Sequence, residues 1–124
     1  MLQGNFFTIS SIQKEEASVK LVLELNASHA IFAGHFPAQP IVPGACLLQM
    51  VKEIMETTLG SKLQLIKAHQ LKFMSPIDPN KGKGIQAILL FSIAENKEVN
   101  VTATFRHETI VCFKCNGIFK VTNS

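Results

Sequence analysis

The alternation of apolar and polar residues along the chain predicts a mainly β protein. In residues 18–25, four apolar side chains alternate with Ser18, Lys20 and Glu24, which is the period of a half-buried strand. We expect the whole segment 5–25 to be extended. The same alternation recurs in three later segments, residues 63–73, 85–93 and 99–105, and residues 110–121 close the chain as a further predicted strand. These runs predict five or six antiparallel strands.

One segment, residues 45–59, changes to the period of a helix. One side of its helical wheel is apolar and carries Leu47, Leu48, Val51, Ile54, Met55 and Thr58. The other side is polar and carries Gln49, Lys52, Glu53 and Glu56. Pro43 suits a first helical turn, and Gly60 suits the left-handed position after the last turn. One helix, Gly44–Leu59, among antiparallel strands predicts a single α+β domain over residues 1–124.

Composition and charge exclude several classes of protein. The chain has 124 residues, of which 47% are hydrophobic and 17% charged, so a disordered tail or a coiled coil is excluded. The net charge is +3, and the excess lies in residues 61–84, where five lysines accompany only Asp78. This segment indicates a weakly anionic partner, or simply a solvated lysine edge. It lacks the charge density and interleaved aromatic residues of a nucleic-acid surface.

Location and metal binding are also constrained by the sequence. The first residues show no basic region followed by an apolar core, and the longest apolar run, residues 87–91, is too short for a bilayer. Three cysteines without such a leader indicate a cytoplasmic protein that is not bound to a membrane. Cys112 and Cys115 lie in a predicted strand and are expected to face opposite sides. Without a second cysteine pair, we expect no metal site and no cofactor.

Candidate chemistry is concentrated before the helix. Prolines at positions 37, 40 and 43 predict a stiff, extended loop, and His35 lies in it, nine residues before Gly44. The N-terminus of a helix attracts anions, and a base beside such a site is what proton abstraction next to a thioester carbonyl requires. On the residues alone, a structural role for His35 is an equal alternative. We expect structural roles for His29 before the loop, His69 in a strand and His107 at a hairpin turn.

The segment His29-Ala-Ile-Phe-Ala-Gly-His-Phe-Pro-Ala-Gln-Pro-Ile-Val-Pro-Gly44 resembles the signature of bacterial 3-hydroxyacyl-acyl-carrier-protein dehydratases. The similarity continues through the predicted helix to Leu71-Lys-Phe-Met-Ser-Pro76. It implies the hotdog fold, in which one central helix is wrapped by an antiparallel sheet. It also implies homodimers, sometimes assembled into trimers of dimers, with an acyl tunnel at each dimer interface and acyl carrier protein as the partner.

The resemblance implies roles for individual residues. His35 matches the catalytic base, the backbone N–H of Gly44 matches the group that binds the thioester oxygen, and the carbonyl of Ile41 matches the group that orients the imidazole. The substrate would contact Phe36, Pro37, Ile41 and Pro43. In this arrangement His35 takes the α-proton and returns it to the leaving hydroxyl in a syn elimination, which converts a (3R)-hydroxyacyl thioester into a trans-2-enoyl thioester for fatty-acid or polyene synthesis.

The chain departs from that family pattern at Gln49, where the family has a Glu or Asp supplied by the facing subunit. An amide donates a hydrogen bond but no proton, and loss of a general acid typically costs about 10²–10⁴-fold in rate. We therefore expect Gln49 to hold the leaving oxygen, and Gln49→Glu to preserve folding and raise turnover. Glu53, one turn later, is expected to be a solvated surface carboxylate, with a proton relay through water as the alternative. The family's Gly-Asp pair after the strand-end proline is also missing, and residues 78–82 take its place.

Two other functions stay open at this point. The first is a non-catalytic subunit that binds an acyl chain or acyl carrier protein and has lost the acid. The second is a hotdog thioesterase, in which the base activates water. We also expect Lys62, Lys67 and Lys72 to help dock the acidic carrier protein, because complementary charge raises association rates.

Overall fold

The computed structural model describes residues 1–33, 41–81 and 84–122, and these ranges contain one α-helix and six β-strands. The strands are β1 (Phe7–Lys14), β2 (Ser18–Leu25), β3 (Lys62–Phe73), β4 (Ile85–Ile93), β5 (Glu98–His107) and β6 (Ile110–Thr122). The helix α1 spans Gly44–Leu59, and short 3-10 turns cover Ala30–Phe32 and Pro79–Lys81. The segment 5–25, predicted to be extended, forms the two strands β1 and β2. The chain reverses between them, where the Glu15 N–H donates to the Ser18 carbonyl at 2.8 Å.

The six strands form one antiparallel sheet in the order β1-β2-β4-β5-β6-β3. Strands β1 and β3 are therefore its two edges. The alternating runs of the sequence match β2, β4, β5 and β6 because one side of each strand faces the apolar interior. Strand β3 matches its predicted run in position, but Leu63 is its one buried residue. The α+β prediction, with five or six antiparallel strands around one helix, is confirmed.

Helix α1 begins and ends where the sequence predicts. Gly60 takes the left-handed conformation, with φ 68°, and its N–H donates to the Glu56 carbonyl. Pro43 lies just before the helix rather than in its first turn, because its ψ of 143° is extended. The helix buries Cys46, Leu47, Met50, Val51, Glu53, Ile54, Met55 and Thr58. In the described ranges, no helix is long and apolar enough to cross a membrane.

A β-bulge between β5 and β6 changes the expected exposure of the cysteines. Phe105 pairs with Phe113 but Arg106 pairs with Val111, so Cys112 is an extra residue in β6. Cys112 and Cys115 were expected on opposite sides of the strand, and both are buried. Burial raises the pKa of the Cys115 thiol to about 11.

Candidate functional site

Three of the predicted site residues meet at the start of helix α1. Ile41, Pro43 and Gly44 line a cavity of about 420 Å³, which we call the helix-start cavity. The remaining wall is formed by Val42, Leu47, Phe73, Met74, Ser75, Pro76, Ile77 and Cys112. His35, Phe36 and Pro37 lie outside the described residues, so their roles stay predictions, as does the role of the Ile41 carbonyl. The lining is mostly apolar, as expected of a site for an acyl chain.

Backbone hydrogen bonds hold the walls of the helix-start cavity in place. The Val42 N–H donates to the Ile77 carbonyl at 3.0 Å, which ties the segment before the helix to the segment after β3. The N–H groups of Met74 and Ser75 both donate to the Cys112 carbonyl, at 2.8 and 3.2 Å. The bulge at Cys112 thus provides the acceptor that turns the chain at the end of β3. Backbone hydrogen bonds therefore hold both the segment before the helix and the segment after β3, which form two walls of the cavity.

The side chain of Phe73 lies directly against Gly44. A Cβ added to Gly44 would lie 2.8 Å from Cε1 and 2.9 Å from Cζ of Phe73, closer than real Cβ atoms approach a neighbour. The Phe73 ring stacks on Phe113, with ring centroids 5.2 Å apart, and Phe113 packs edge-on against Phe105. A larger residue at position 44 would therefore push Phe73 out of the cavity wall.

The start of helix α1 favours negative charge. The N–H groups of a first helical turn have no acceptor within the helix, and the helix dipole places partial positive charge there. The Pro43 carbonyl accepts from the N–H groups of Cys46 and Leu47, and no acidic side chain lies in the first turn. Gly44, a lining residue, thus brings the partial positive charge of the helix start to the cavity wall.

Gln49 lies on a different side of the helix from the helix-start cavity. It borders a second cavity of about 290 Å³ between α1 and β3, which we call the lateral cavity. Its other lining residues are Ala45, Leu48, Lys52, Leu63, Gln64, Leu65 and Phe119. Among the residues described, no lining residue is common to the two cavities. Within one chain, Gly44 and Gln49 therefore do not face the same space.

Glu53 is buried, contrary to the expectation of a solvated carboxylate. Its side chain is 0% exposed, and its oxygens accept from the backbone N–H groups of Leu2 and Gln3 at 2.8–2.9 Å. The Gln49 Nε2 donates to Glu53 Oε2 at 2.8 Å. Burial alone raises the pKa of the Glu53 carboxyl, but the bonds from Leu2, Gln3 and Gln49, together with the positive charge of the N-terminus, outweigh it, so the pKa lies below its ordinary value.

Of the other three histidines, His29 has a structural role. His29 caps the 3-10 turn Ala30–Phe32, because its Nδ1 accepts from the Ile31 N–H at 3.1 Å, and its ring contacts Phe6 edge-on. His69 is exposed on β3, and His107 lies half-buried at the end of β5. In the part of the chain that the structure describes, no three His, Cys, Asp or Glu side chains are grouped as for a metal ion.

Two features of the site escaped the sequence prediction. The spacing of Gln49 and Glu53, four residues apart on a helix, does signal a contact, but the period placed both on the solvated side. The contact of Phe73 with Gly44 had no local signal, because it joins residues that are distant in the chain.

Comparison with known proteins gives one family and one fold. Residues 11–114 match the model of the ApeI-like family, described as ApeI dehydratase. A stretch of 70 residues is 30% identical to the 3-hydroxyacyl-(acyl-carrier-protein) dehydratase FabZ of Haemophilus influenzae, covering 56% of this chain and 47% of that protein. The match thus spans about half the length of the curated relatives.

Solved structures resemble the chain along most of its length. The dehydratase heterocomplex ApeI:P from Xenorhabdus doucetiae superposes with a TM-score of 0.67 at 18% identity, covering 90% of this chain and 96% of that one. The (R)-hydratase from A. caviae involved in PHA biosynthesis gives a TM-score of 0.63 at 16% identity, covering 89% of this chain and 99% of that one. At these identities the likeness shows the fold, and it confirms the hotdog prediction.

Proposed function

Because the chain belongs to the ApeI-like dehydratase family, we propose that it removes water from a 3-hydroxyacyl thioester to give the trans-2-enoyl thioester. The observation that carries this proposal is the helix-start cavity. Gly44 lines this mostly apolar space of about 420 Å³, and in the proposed reaction its N–H faces the substrate. A thioester oxygen beside that N–H gains stabilisation as charge develops on it, and the apolar walls accommodate the acyl chain.

The reaction then needs one base that acts twice. His35 removes the α-proton, and the electron pair of the C–H bond moves towards the thioester carbonyl, whose oxygen is held by the Gly44 N–H. The electrons return to form the α,β double bond as the β C–O bond breaks. The departing hydroxyl takes the proton from the His35 imidazolium and leaves as water. His35 is neutral at the end, as it was at the start, so the reaction needs no second acid.

We propose that each site is completed by a second copy of the chain. Gly44 and Gln49 border separate cavities of one chain. Gln49, which is in the position of the family acid, would therefore reach a substrate bound at the Gly44 of another chain. Strand β3 is an edge strand, and Ile66, Leu71 and Phe73 on it are 49%, 41% and 58% exposed. A two-fold pairing of β3 edges would cover these apolar side chains and satisfy the free edge.

The proposed substrate is carried by acyl carrier protein. Lys62, Lys67 and Lys72 are exposed along β3, the strand that ends at the helix-start cavity. An acidic carrier protein docked there would present its thioester at the cavity mouth, guided by complementary charge.

A second candidate is a non-catalytic subunit that binds the acyl chain, and Gln49 favours it. A chain without the acid can still complete a site whose acid comes from a different partner. Among proteins of this fold, ApeI:P from Xenorhabdus doucetiae is a heterocomplex. In this case our chain alone would bind but not convert the substrate.

The test is incubation of the protein with a 3-hydroxyacyl carrier-protein thioester, followed by mass spectrometry. Loss of one water, absent in His35→Ala, supports the dehydratase. Release of free acid indicates a thioesterase and contradicts the proposal. Unchanged substrate that nevertheless binds the protein supports the non-catalytic subunit. The reverse reaction, addition of water to the trans-2-enoyl thioester, is a second readout of the same chemistry.

A further inference from the structure

Glu53 is a buried charged group that the proposed reaction does not use. Four hydrogen bonds end on its two oxygens: two from the Leu2 N–H, one from the Gln3 N–H and one from the Gln49 side chain. Every partner is an N–H donor. A carboxyl group surrounded only by donors is an ionised acceptor, because a protonated one needs an acceptor of its own.

This arrangement fixes the Gln49 amide. A carboxylate accepts only, so the amide must turn its nitrogen to Glu53, as the 2.8 Å contact from Nε2 to Oε2 shows. The amide oxygen, Oε1, is then left for a partner other than Glu53. Gln49 is half-buried on the lateral cavity, so a group entering that space meets an oriented side chain.

We propose that Glu53 is a positioning residue that makes Gln49 present its carbonyl oxygen, and not its N–H, to the reacting hydroxyl. The inference rests on the proposed function and deepens it. Gln49 accepts the hydrogen of the β-hydroxyl, so the lone pairs of that oxygen stay free to take the proton that the base returns. The Gln49 amide thus orients the leaving hydroxyl to receive the proton removed from the α-carbon, and the amide itself donates no proton.

The amide orientation is tested first, by NMR of the whole protein. The Gln49 side-chain N–H signals are assigned by their loss in Gln49→Ala. A through-hydrogen-bond coupling between Gln49 Nε2 and the Glu53 carboxyl carbon is expected in the wild type. Absence of this coupling at neutral pH overturns the inference, whatever the activity of the protein.

The functional consequence is tested with Glu53→Gln. The new amide keeps its oxygen for the N–H groups of Leu2 and Gln3 and turns its own N–H to Gln49, so Gln49 flips and presents N–H. We expect kcat to fall about tenfold, the size of one misdirected hydrogen bond, with little change in KM. The matched control is Glu56→Gln, which changes a carboxylate on the same helix that accepts from the Leu63 N–H. It should leave kcat and the Gln49 signals unchanged.

A double-mutant cycle separates positioning from simple structural support. If Glu53 acts through Gln49, the effect of Glu53→Gln on kcat disappears in a Gln49→Ala background. An equal loss in both backgrounds overturns the positioning role. If Glu53→Gln does not fold, the coupling measured in the wild type decides the orientation. If the wild type dehydrates no thioester, the proposed function and this catalytic consequence both fail, while the NMR result still decides the orientation.

Discussion

At the scale of the residue, Glu53 shows how hydrogen bonding decides the position of a charge. The helical wheel groups it with the solvated side chains, and its chemistry makes burial costly. The cost is offset because the backbone N–H groups of Leu2 and Gln3 and the amide of Gln49 converge on it. The helical period assigns side chains to a polar or an apolar side of the helix. It does not show which backbone groups from distant parts of the chain donate hydrogen bonds to a side chain.

The lowered pKa of Glu53 predicts a pH dependence of stability. Because the pKa is lower in the folded chain than in the unfolded one, the ionised carboxyl stabilises the fold fully above its ordinary value of 4.5. This contribution is lost as the pH falls through the lowered folded pKa. Chemical unfolding of wild type and Glu53→Gln should differ by about 1–3 kcal/mol at pH 7, and the difference should shrink towards pH 3. A difference independent of pH would contradict the ionised state.

The same contact changes what is expected of Gln49→Glu. A carboxyl at position 49 would lie within hydrogen-bond distance of the Glu53 carboxylate, so one of the two must hold a proton and Glu53 loses a donor. The single variant should therefore be less stable than wild type. In the double variant Gln49→Glu with Glu53→Gln, the amide and the carboxyl exchange places and the hydrogen bond is restored.

We expect turnover to be highest in this double variant, because it offers the leaving hydroxyl an acid that the neighbouring amide supports. The gain is at most about 10²–10⁴-fold. The measurement is kcat and Tm for wild type, both single variants and the double variant. A double variant that folds and is no faster than wild type would show that the lack of a general acid does not limit turnover.

At the scale of the element, strand β3 combines several tasks. Leu63 at its start is buried beneath the helix, whereas Ile66 and Phe73 are exposed at the sheet edge. Two irregularities in its pairing with β6, between Leu65 and Lys67 and between Ala68 and Gln70, interrupt the strict alternation. An exposed edge strand with irregular pairing is suited to contact other molecules. The lysines of β3 favour molecules with negative charge.

The lysines of β3 give a prediction about docking. Reversal of Lys62, Lys67 and Lys72 to Glu should weaken binding of acyl carrier protein about tenfold, at about 0.5 kcal/mol for each exposed charge pair. The loss should be smaller at high salt, where exposed charges are screened. Reversal of Lys20, Lys97 and Arg106, which are exposed elsewhere, is the control with the same change of charge. Titration calorimetry at two salt concentrations measures the effect, and equal losses in both triple variants would contradict a docking role for β3.

At the scale of the whole molecule, the proposed site is shared between two copies of the chain. Gly44 lines one cavity and Gln49 the other, so in this proposal a single chain holds two incomplete halves. A two-fold axis is the simplest operation that brings the halves together, because it completes both sites at once.

This division predicts complementation between two inactive chains. A His35→Ala chain keeps Gln49, and a Gln49→Arg chain keeps His35 and Gly44, so their heterodimer contains one intact site of two. We expect each variant alone to be inactive and the purified heterodimer to recover about half of the wild-type turnover. Light scattering should show a dimer in all cases. A heterodimer as inactive as its parents would contradict a site shared between chains.

The sequence is sufficient to predict the elements, because alternation and helical period follow from which side of a strand or helix meets the interior. It predicted α1 as Gly44–Leu59 and the strand runs, and the loop motif indicated the family. The surroundings of the site, in contrast, depend on contacts that form when the chain folds. The Phe73 ring over Gly44, the Cys112 bulge and the burial of Glu53 each join parts of the chain that are far apart in sequence. Such contacts depend on the packing of the whole sheet against the helix, and no local pattern records them.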